Sequence, residues 1–261
     1  MKALHIAASG MAAQERNVEV ISNNIANLRT TGFKRQRVEF QDMLYQNLRR
    51  MGTSTSEDGT LVPTGVQIGS GVRLAATTRL HSQGNAALTE KPYDMAVQGE
   101  GHFQVQLPDG TTGYTRDGSF EIDPTGQLVT VDGYRVQPNI TVPNDAKTVS
   151  VSRQGLVEAI VGDNPQPQQL GQLTLAVFTN TAGLEAIGDN FYLETEASGQ
   201  PQIGNPGNLG YGTILQGYLE QSNVNAVSEI ADIIAAQRAY EMNSRIISAA
   251  DEMMSATSNL R

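Results

Sequence analysis

Three histidines, His5, His81 and His102, are the side chains best suited to proton transfer or metal binding near neutral pH. They stand in three separate segments, and no H-x-x-x-H or H-x-E spacing places two ligands on one face. His81 and His102 could meet in the fold, whereas His5 lies in an amphipathic stretch where packing is its expected role. The chain has 0 Cys, which excludes disulfides, thiolate metal sites, iron–sulfur clusters and a cysteine nucleophile. No G-x-S-x-G elbow is present, and none of the 27 Asp and Glu stands in a context that marks an acid–base pair. Gly99-Glu100-Gly101 opens like a dinucleotide fingerprint. Its third glycine is replaced by Gln104 and a strand pattern follows, so it reads as a turn between strands. The Asp-Gly pairs at 109–110, 117–118 and 132–133 lack the alternating carboxylates of a calcium loop and read as hairpin turns. The Lys34-Arg35-Arg37 cluster could meet phosphate or lipid. In a chain of net charge −9, a solvated or interface-pairing basic face is the expected role. That charge also argues against nucleic acid as a partner. The expectation is therefore no catalytic residue, no metal, no cofactor and no enzyme activity.

The elements that would carry any other function are set by composition. All 10 Pro lie within 63–206, and 23 of the 26 Gly lie within 59–217, so both ends are free of helix breakers. At the N-terminal end Leu4, Ala8, Met11, Val18, Ile21, Ile25 and Leu28 recur at threes and fours, predicting a helix closed by Thr30-Thr31-Gly32. At the other end Ile230, Ile233, Ile234, Gln237, Tyr240, Ile247, Ala250 and Met254 predict a second helix, with Ser222, Asn223 and Asn225 as N-cap candidates. Helices of similar length can pair antiparallel as a coiled coil. Their flanks carry Asn17, Asn23, Asn24, Asn27, Ser228, Asn243, Ser244 and Ser248 where a surface helix would carry Lys and Glu. Two readings fit: an ordinary helix pair packed on the middle of the chain, or a pair that buries several faces against copies of itself. The flanks favour the second, because helix stability comes mostly from packing.

Between the ends, Phe103–Leu107, Tyr114–Arg116, Phe120–Ile122, Leu128–Val131 and Tyr134–Val136 alternate and are split by turn pairs, predicting a meander of hairpins. Further strands are expected at 148–151, 156–161, 173–178 and 191–194. Residues 44–72 show turn and polar residues with little periodicity and read as a long excursion. The fold class is α+β. The expected organisation is 1–30 plus 226–261 as the terminal helices, 31–72 as an extended connection and 73–225 as a mainly antiparallel β domain. The apolar stretch Ala3–Ala13 is too weak for a cleaved signal peptide, and no window suits a membrane span.

Several segments resemble those of a known family. SNNIANLRTTGFKRQ (22–36) and SNVNAVSEIADIIAAQRAYEMNSRII (222–247) resemble the N- and C-terminal signatures of the bacterial flagellar axial proteins, the rod and hook family. PYDMAVQGEGHFQV and PDGTTGYTRDGSFEIDPTGQLVT are similar to that family's shared β domain, although His102 stands where an aromatic residue is more usual. LYQNLRRMGTSTSEDGTLVPTG (44–65) and QIGSGVRLAATTRLHSQGN (67–85) resemble its distal-rod branch.

The resemblance implies a structural subunit of the flagellar basal body. It would self-assemble into a straight, rigid helical tube that transmits motor torque to the hook and forms part of the export channel. The terminal helices would form the inner wall and the β domain would face outward. The implied partners are further copies, proximal rod proteins, the hook protein, the outer ring proteins and the type III export apparatus, with passage to the periplasm without a cleaved signal. The self-assembly interface is then expected at Leu4, Met11, Val18, Ile21, Ile25 and Leu28 with Ile230, Ile233, Ile234, Gln237, Tyr240, Ile247 and Met254. A rod-specific segment is expected over 45–63, with Tyr45, Arg49, Arg50 and Pro63 as its markers and the two arginines facing an acidic neighbour. The alternatives are a hook protein, or an extracytoplasmic β-domain binding module or enzyme on a helical stalk.

Overall fold

The computed structural model describes residues 2–49, 51, 64–162 and 166–259. The chain is α+β: a helix at each end and a β-rich middle. It divides into two compact units, Met1–Ile25 with Gln36–Thr78 and Asn225–Arg261, and Ala26–Arg35 with Arg79–Val224.

The first unit holds both helices, α1 (Lys2–Ala26) and α2 (Ala226–Asn259). Helix α1 stops before the expected Thr30-Thr31-Gly32. The Thr30 N–H donates to the Asn27 carbonyl at 3.2 Å and the Thr30 hydroxyl to Asn27 Oδ1 at 3.1 Å. Short polar side chains of this kind offer the backbone a turn in place of the helical ladder. Helix α2 begins where Asn225 caps it. Asn225 Oδ1 accepts the Val227 N–H at 3.0 Å, and its carbonyl accepts the Glu229 N–H at 3.0 Å.

Residues 31–72, expected as an extended connection, carry three strands. Gln36–Asp42 pairs with Val72–Arg79, and Tyr45–Arg49 forms an antiparallel hairpin with Val66–Gly69. The hairpin escaped the periodicity argument because Tyr45–Arg49 is exposed along its whole length, leaving no in–out alternation to read. Tyr45 and Arg49 belong to this hairpin, whereas Arg50 and Pro63 lie outside the described residues, as does most of 45–63.

The second unit is antiparallel β, but its strands do not follow the expected run of consecutive hairpins: Thr112–Thr115 lies between Phe103–Gln106 and Phe191–Leu193, while Phe120–Ile122 stands at the far edge and Arg135–Gln137 returns to pair with Phe103–Gln106. Its largest sheet runs Glu185–Gly188, Phe191–Leu193, Thr112–Thr115, Phe103–Gln106, Arg135–Gln137, Leu128–Thr130, Phe120–Ile122. A second sheet pairs Ala146–Val151, Leu156–Val161 and Gln168–Gln172. Met95, Val97, Phe103, Val136, Leu173, Leu175 and Ile214 fill the core. Gly99 and Gly101 take φ of 105° and 136° between two strands, so the pair is the backbone turn read from the sequence.

Candidate assembly interface

Two contacts define how the helices meet. The side-chain amide of Asn24 donates to Glu229 Oε2 at 3.0 Å, and a Cβ built on Gly10 would lie 2.8 Å from the amide nitrogen of Asn243. One contact advances along α1 while the other retreats along α2, so the helices lie antiparallel.

Burial identifies the facing lines. On α1 the buried residues are Ala7, Ala13, Ile21 and Asn24, with Gly10, Gln14 and Asn17 half-buried among them. On α2 the facing line is Glu229, Ile233, Ala236, Asn243, Ile247, Ala250 and Met254. Small and amide side chains fill most of this line, because close helix approach leaves little room for bulk. Of the apolar row expected at the self-assembly interface, Leu4, Met11, Val18 and Ile25 are half-buried in the single chain and Ile21 is buried. Leu28, also half-buried, belongs to the other unit.

The α2 stripe divides in the same way. Ile233, Ile247 and Met254 turn inward, but Ile230 and Ile234 are 52% and 46% exposed, and Gln237 and Tyr240 are exposed beside them. An open groove of about 760 Å³ runs between the helices, lined by Gln14, Glu15, Val18, Glu19, Ser22, Gln237, Tyr240 and Glu241.

Asn24 was missed as a key residue. It is fully buried, donates to the Gln36 carbonyl at 2.8 Å and accepts the Gln36 N–H at 2.9 Å, so one amide joins α1 to the first strand and to α2.

Family comparisons match this architecture segment by segment. A model described as "Flagella basal body rod protein" covers residues 4–34, "Flagellar hook protein FlgE/F/G D1 domain" covers 96–159, and "Flagellar basal body rod FlgEFG protein C-terminal" covers 215–260. The flagellar basal-body rod protein FlgG of Caulobacter vibrioides is 57% identical over 261 residues, 100% of both chains. The chain belongs to the FlgG family of flagellar basal-body rod proteins. The FlgG proteins of Agrobacterium fabrum and Borreliella burgdorferi are 51% and 46% identical, over 99% and 100% of this chain and 98% and 99% of theirs. A member of the FlgG family is a structural subunit, not an enzyme, and is built into the basal body with other rod and hook components. Among the described residues no helix is long and apolar enough to cross a membrane.

The FlgG-family signature segments also meet in the second unit, at a buried ionic cluster. Lys34, expected on a solvated or interface-pairing basic face, is 1% exposed; its Nζ lies 2.7 Å from Glu220 Oε1 and donates to the Ser82 carbonyl at 2.9 Å. The correction has a simple cause: Glu220 lies 186 residues away in sequence, so no local spacing announces the pair. Arg116 Nη1 approaches Glu220 Oε2 at 3.5 Å, and Nη2 donates to the Gly99 carbonyl at 2.7 Å. Asn223 accepts the Arg35 N–H at 2.7 Å and donates to the Leu80 carbonyl at 2.8 Å.

His81 and His102 do meet, with ring centroids 6.0 Å apart. Among the described residues no cluster of His, Asp or Glu could hold a metal ion. Burial, reinforced by Lys34, Arg116 and Arg79, pushes His81 down to about 4, and burial with Arg116 holds His102 well below its ordinary value. Both rings are therefore neutral when folded at pH 7, whereas an unfolded histidine protonates near 6.5. Proton uptake by the unfolded chain then favours unfolding as pH falls from about 6.5 towards 4. The stability of the monomer, and with it the melting temperature, should drop across that window, the free energy by up to about 1.4 kcal/mol per pH unit for each proton. A His81→Gln/His102→Phe variant should show a shallower slope by circular dichroism; an unchanged slope would assign the acid sensitivity to carboxylates.

Proposed function

We propose that the chain is a distal-rod subunit that polymerises into a straight, rigid helical tube, passes motor torque to the hook and encloses part of the export channel. The observation that carries this reading is the exposed apolar face of α2. Ile230, Ile234, Met242, Ile246 and Met253 are 46–64% exposed on a helix whose other face already packs against α1. Apolar positions left open at helical spacing are supplied with neighbours by assembly. Membership of the FlgG family supports the same reading.

In the proposed tube the terminal helices pair as a coiled coil at the inner wall and the β domain lies outside. Subunits travel through the type III export apparatus without a cleaved signal and assemble in the periplasm. There they join the proximal rod, the hook and the surrounding rings. The segment 45–63 acts as a strap on a neighbouring subunit. Its described end supports this, because Leu48, Val66 and Ile68 of the hairpin are exposed apolar residues and Arg49 is an exposed cation beside them.

Ile234→Asp tests the assembly reading. The side chain is half in solvent in the single chain, so monomer melting should change by less than about 1 kcal/mol. Sedimentation and electron microscopy should show loss of tubes, and cells should lose motility. Normal tubes and motility would defeat the assignment of this face. The strap is tested by deleting residues 46–62. Subunits should still polymerise but give curved or compliant tubes, and straight stiff rods would reduce the segment to a linker.

A further inference from the structure

The open face of α2 is a single helix row. Ile230, Ile234, Arg238, Met242 and Ile246 are spaced four apart, and all five are exposed. Residues four apart form the commonest ridge in helix packing, and such a ridge seats between the side chains of an opposing surface. The row is apolar at both ends and cationic in the middle. The groove between α1 and α2 offers the complement: Val18 and Tyr240 supply apolar lining, and Glu15, Glu19 and Glu241 supply carboxylates. Glu19 already holds Arg16 at 2.7 Å, which leaves Glu15 and Glu241 as the acceptors.

The row starts beside the groove and winds to the far side, so that its centre, Arg238 and Met242, lies on the side of α2 away from α1 and cannot fill the chain's own groove. We infer that the Ile230–Ile246 row of one copy seats in the α1–α2 groove of the next, with Arg238 set against Glu15 and Glu241. This rests on the assembly reading above and adds the partner surface and its register. Ridge and groove are different surfaces of one chain. The contact is therefore heterologous and repeats without closing on itself, as a helical tube requires. Because the pair sits at a partly open rim, salt should weaken it.

The test is charge exchange in the full-length chain. Arg238→Glu and Glu15→Arg are both solvent-facing, so each monomer should melt like wild type. Each alone should raise the concentration needed for polymerisation at least tenfold, measured by sedimentation. The combined Arg238→Glu/Glu15→Arg chain should polymerise better than either single but short of wild type, because Glu241 then meets a like charge at position 238, and its tubes should dissociate at a lower salt concentration than wild type. Singles that polymerise like wild type, or a double no better than the worse single, would overturn the register while leaving assembly intact. Failure of the wild-type chain to polymerise would instead strike at the assembly reading itself.

Discussion

Glu220→Ala is expected to destabilise the β-rich unit by about 3–5 kcal/mol, the usual consequence of removing one partner of a buried ion pair. Glu220 is 1% exposed, and its carboxylate faces two cations, Lys34 at 2.7 Å and Arg116 at 3.5 Å. It also accepts the Gly84 N–H at 2.8 Å. Removing it strands two buried positive charges and an amide in one place. Burial already holds Lys34 below its ordinary pKa despite the pull of Glu220, so without the carboxylate the amine should shed its proton or admit water. Lys34→Met should cost less, because Glu220 keeps Arg116 and the Gly84 amide. At about 2–4 °C per kcal/mol for a unit of this size, the alanine variant should melt roughly 10 °C below wild type. Calorimetry reads the order of the two variants directly. A loss under about 1 kcal/mol for Glu220→Ala would mean that water already reaches the pair.

The same cluster shows where sequence reasoning ends. The strands and their turns were legible because Asp109-Gly110 and Asp132-Gly133 punctuate alternating runs and both glycines adopt positive φ, but the order of the strands in the sheet was not. The helices were legible from their period and from the cap at Asn225. What the period could not settle was which row faces the partner. Leu4, Met11, Val18 and Ile25 repeat every seven residues yet are only half-buried in the single chain, whereas Asn24, an amide, is fully buried. Hydrophobicity marks positions that avoid water, whereas close helix approach selects for size, and a single chain shows only the first. Apolar residues reserved for a neighbouring copy cannot be told by type from those used within the chain. Ile230 and Ile233 are alike in sequence and divided in structure. Buried polar groups escaped for a related reason: Lys34 and Asn24 have ordinary surface side chains, and only partners distant in sequence bring them inside.

Asn24→Asp should release α2 from α1 with almost no change in side-chain volume. The wild-type amide plays three parts at once. Its Oδ1 accepts from Gln36, and its Nδ2 donates both to the Gln36 carbonyl and to the Glu229 carboxylate. A carboxylate keeps only the first. It leaves the Gln36 carbonyl without its side-chain donor and places a second negative charge about a hydrogen-bond length from fully buried Glu229. Losing a hydrogen bond to a charged group costs about 1.5–3 kcal/mol, and the unsatisfied carbonyl adds about 1–3. The expected total, about 3 kcal/mol or more, falls on the helix pair and not on the β-rich unit. Hydrogen exchange should therefore quicken in the first turns of α2 and the last turns of α1 while the β-rich unit keeps its protection. Polymerisation should fail, because the groove and the outer row exist only while the helices lie together. Combining Asn24→Asp with Glu229→Gln removes the like-charge clash and restores a donor across the contact, so it should recover part of the lost protection. If protection and tube formation survive Asn24→Asp alone, the amide is not the clasp and the apolar flank of Val18 and Ile25 holds the pair.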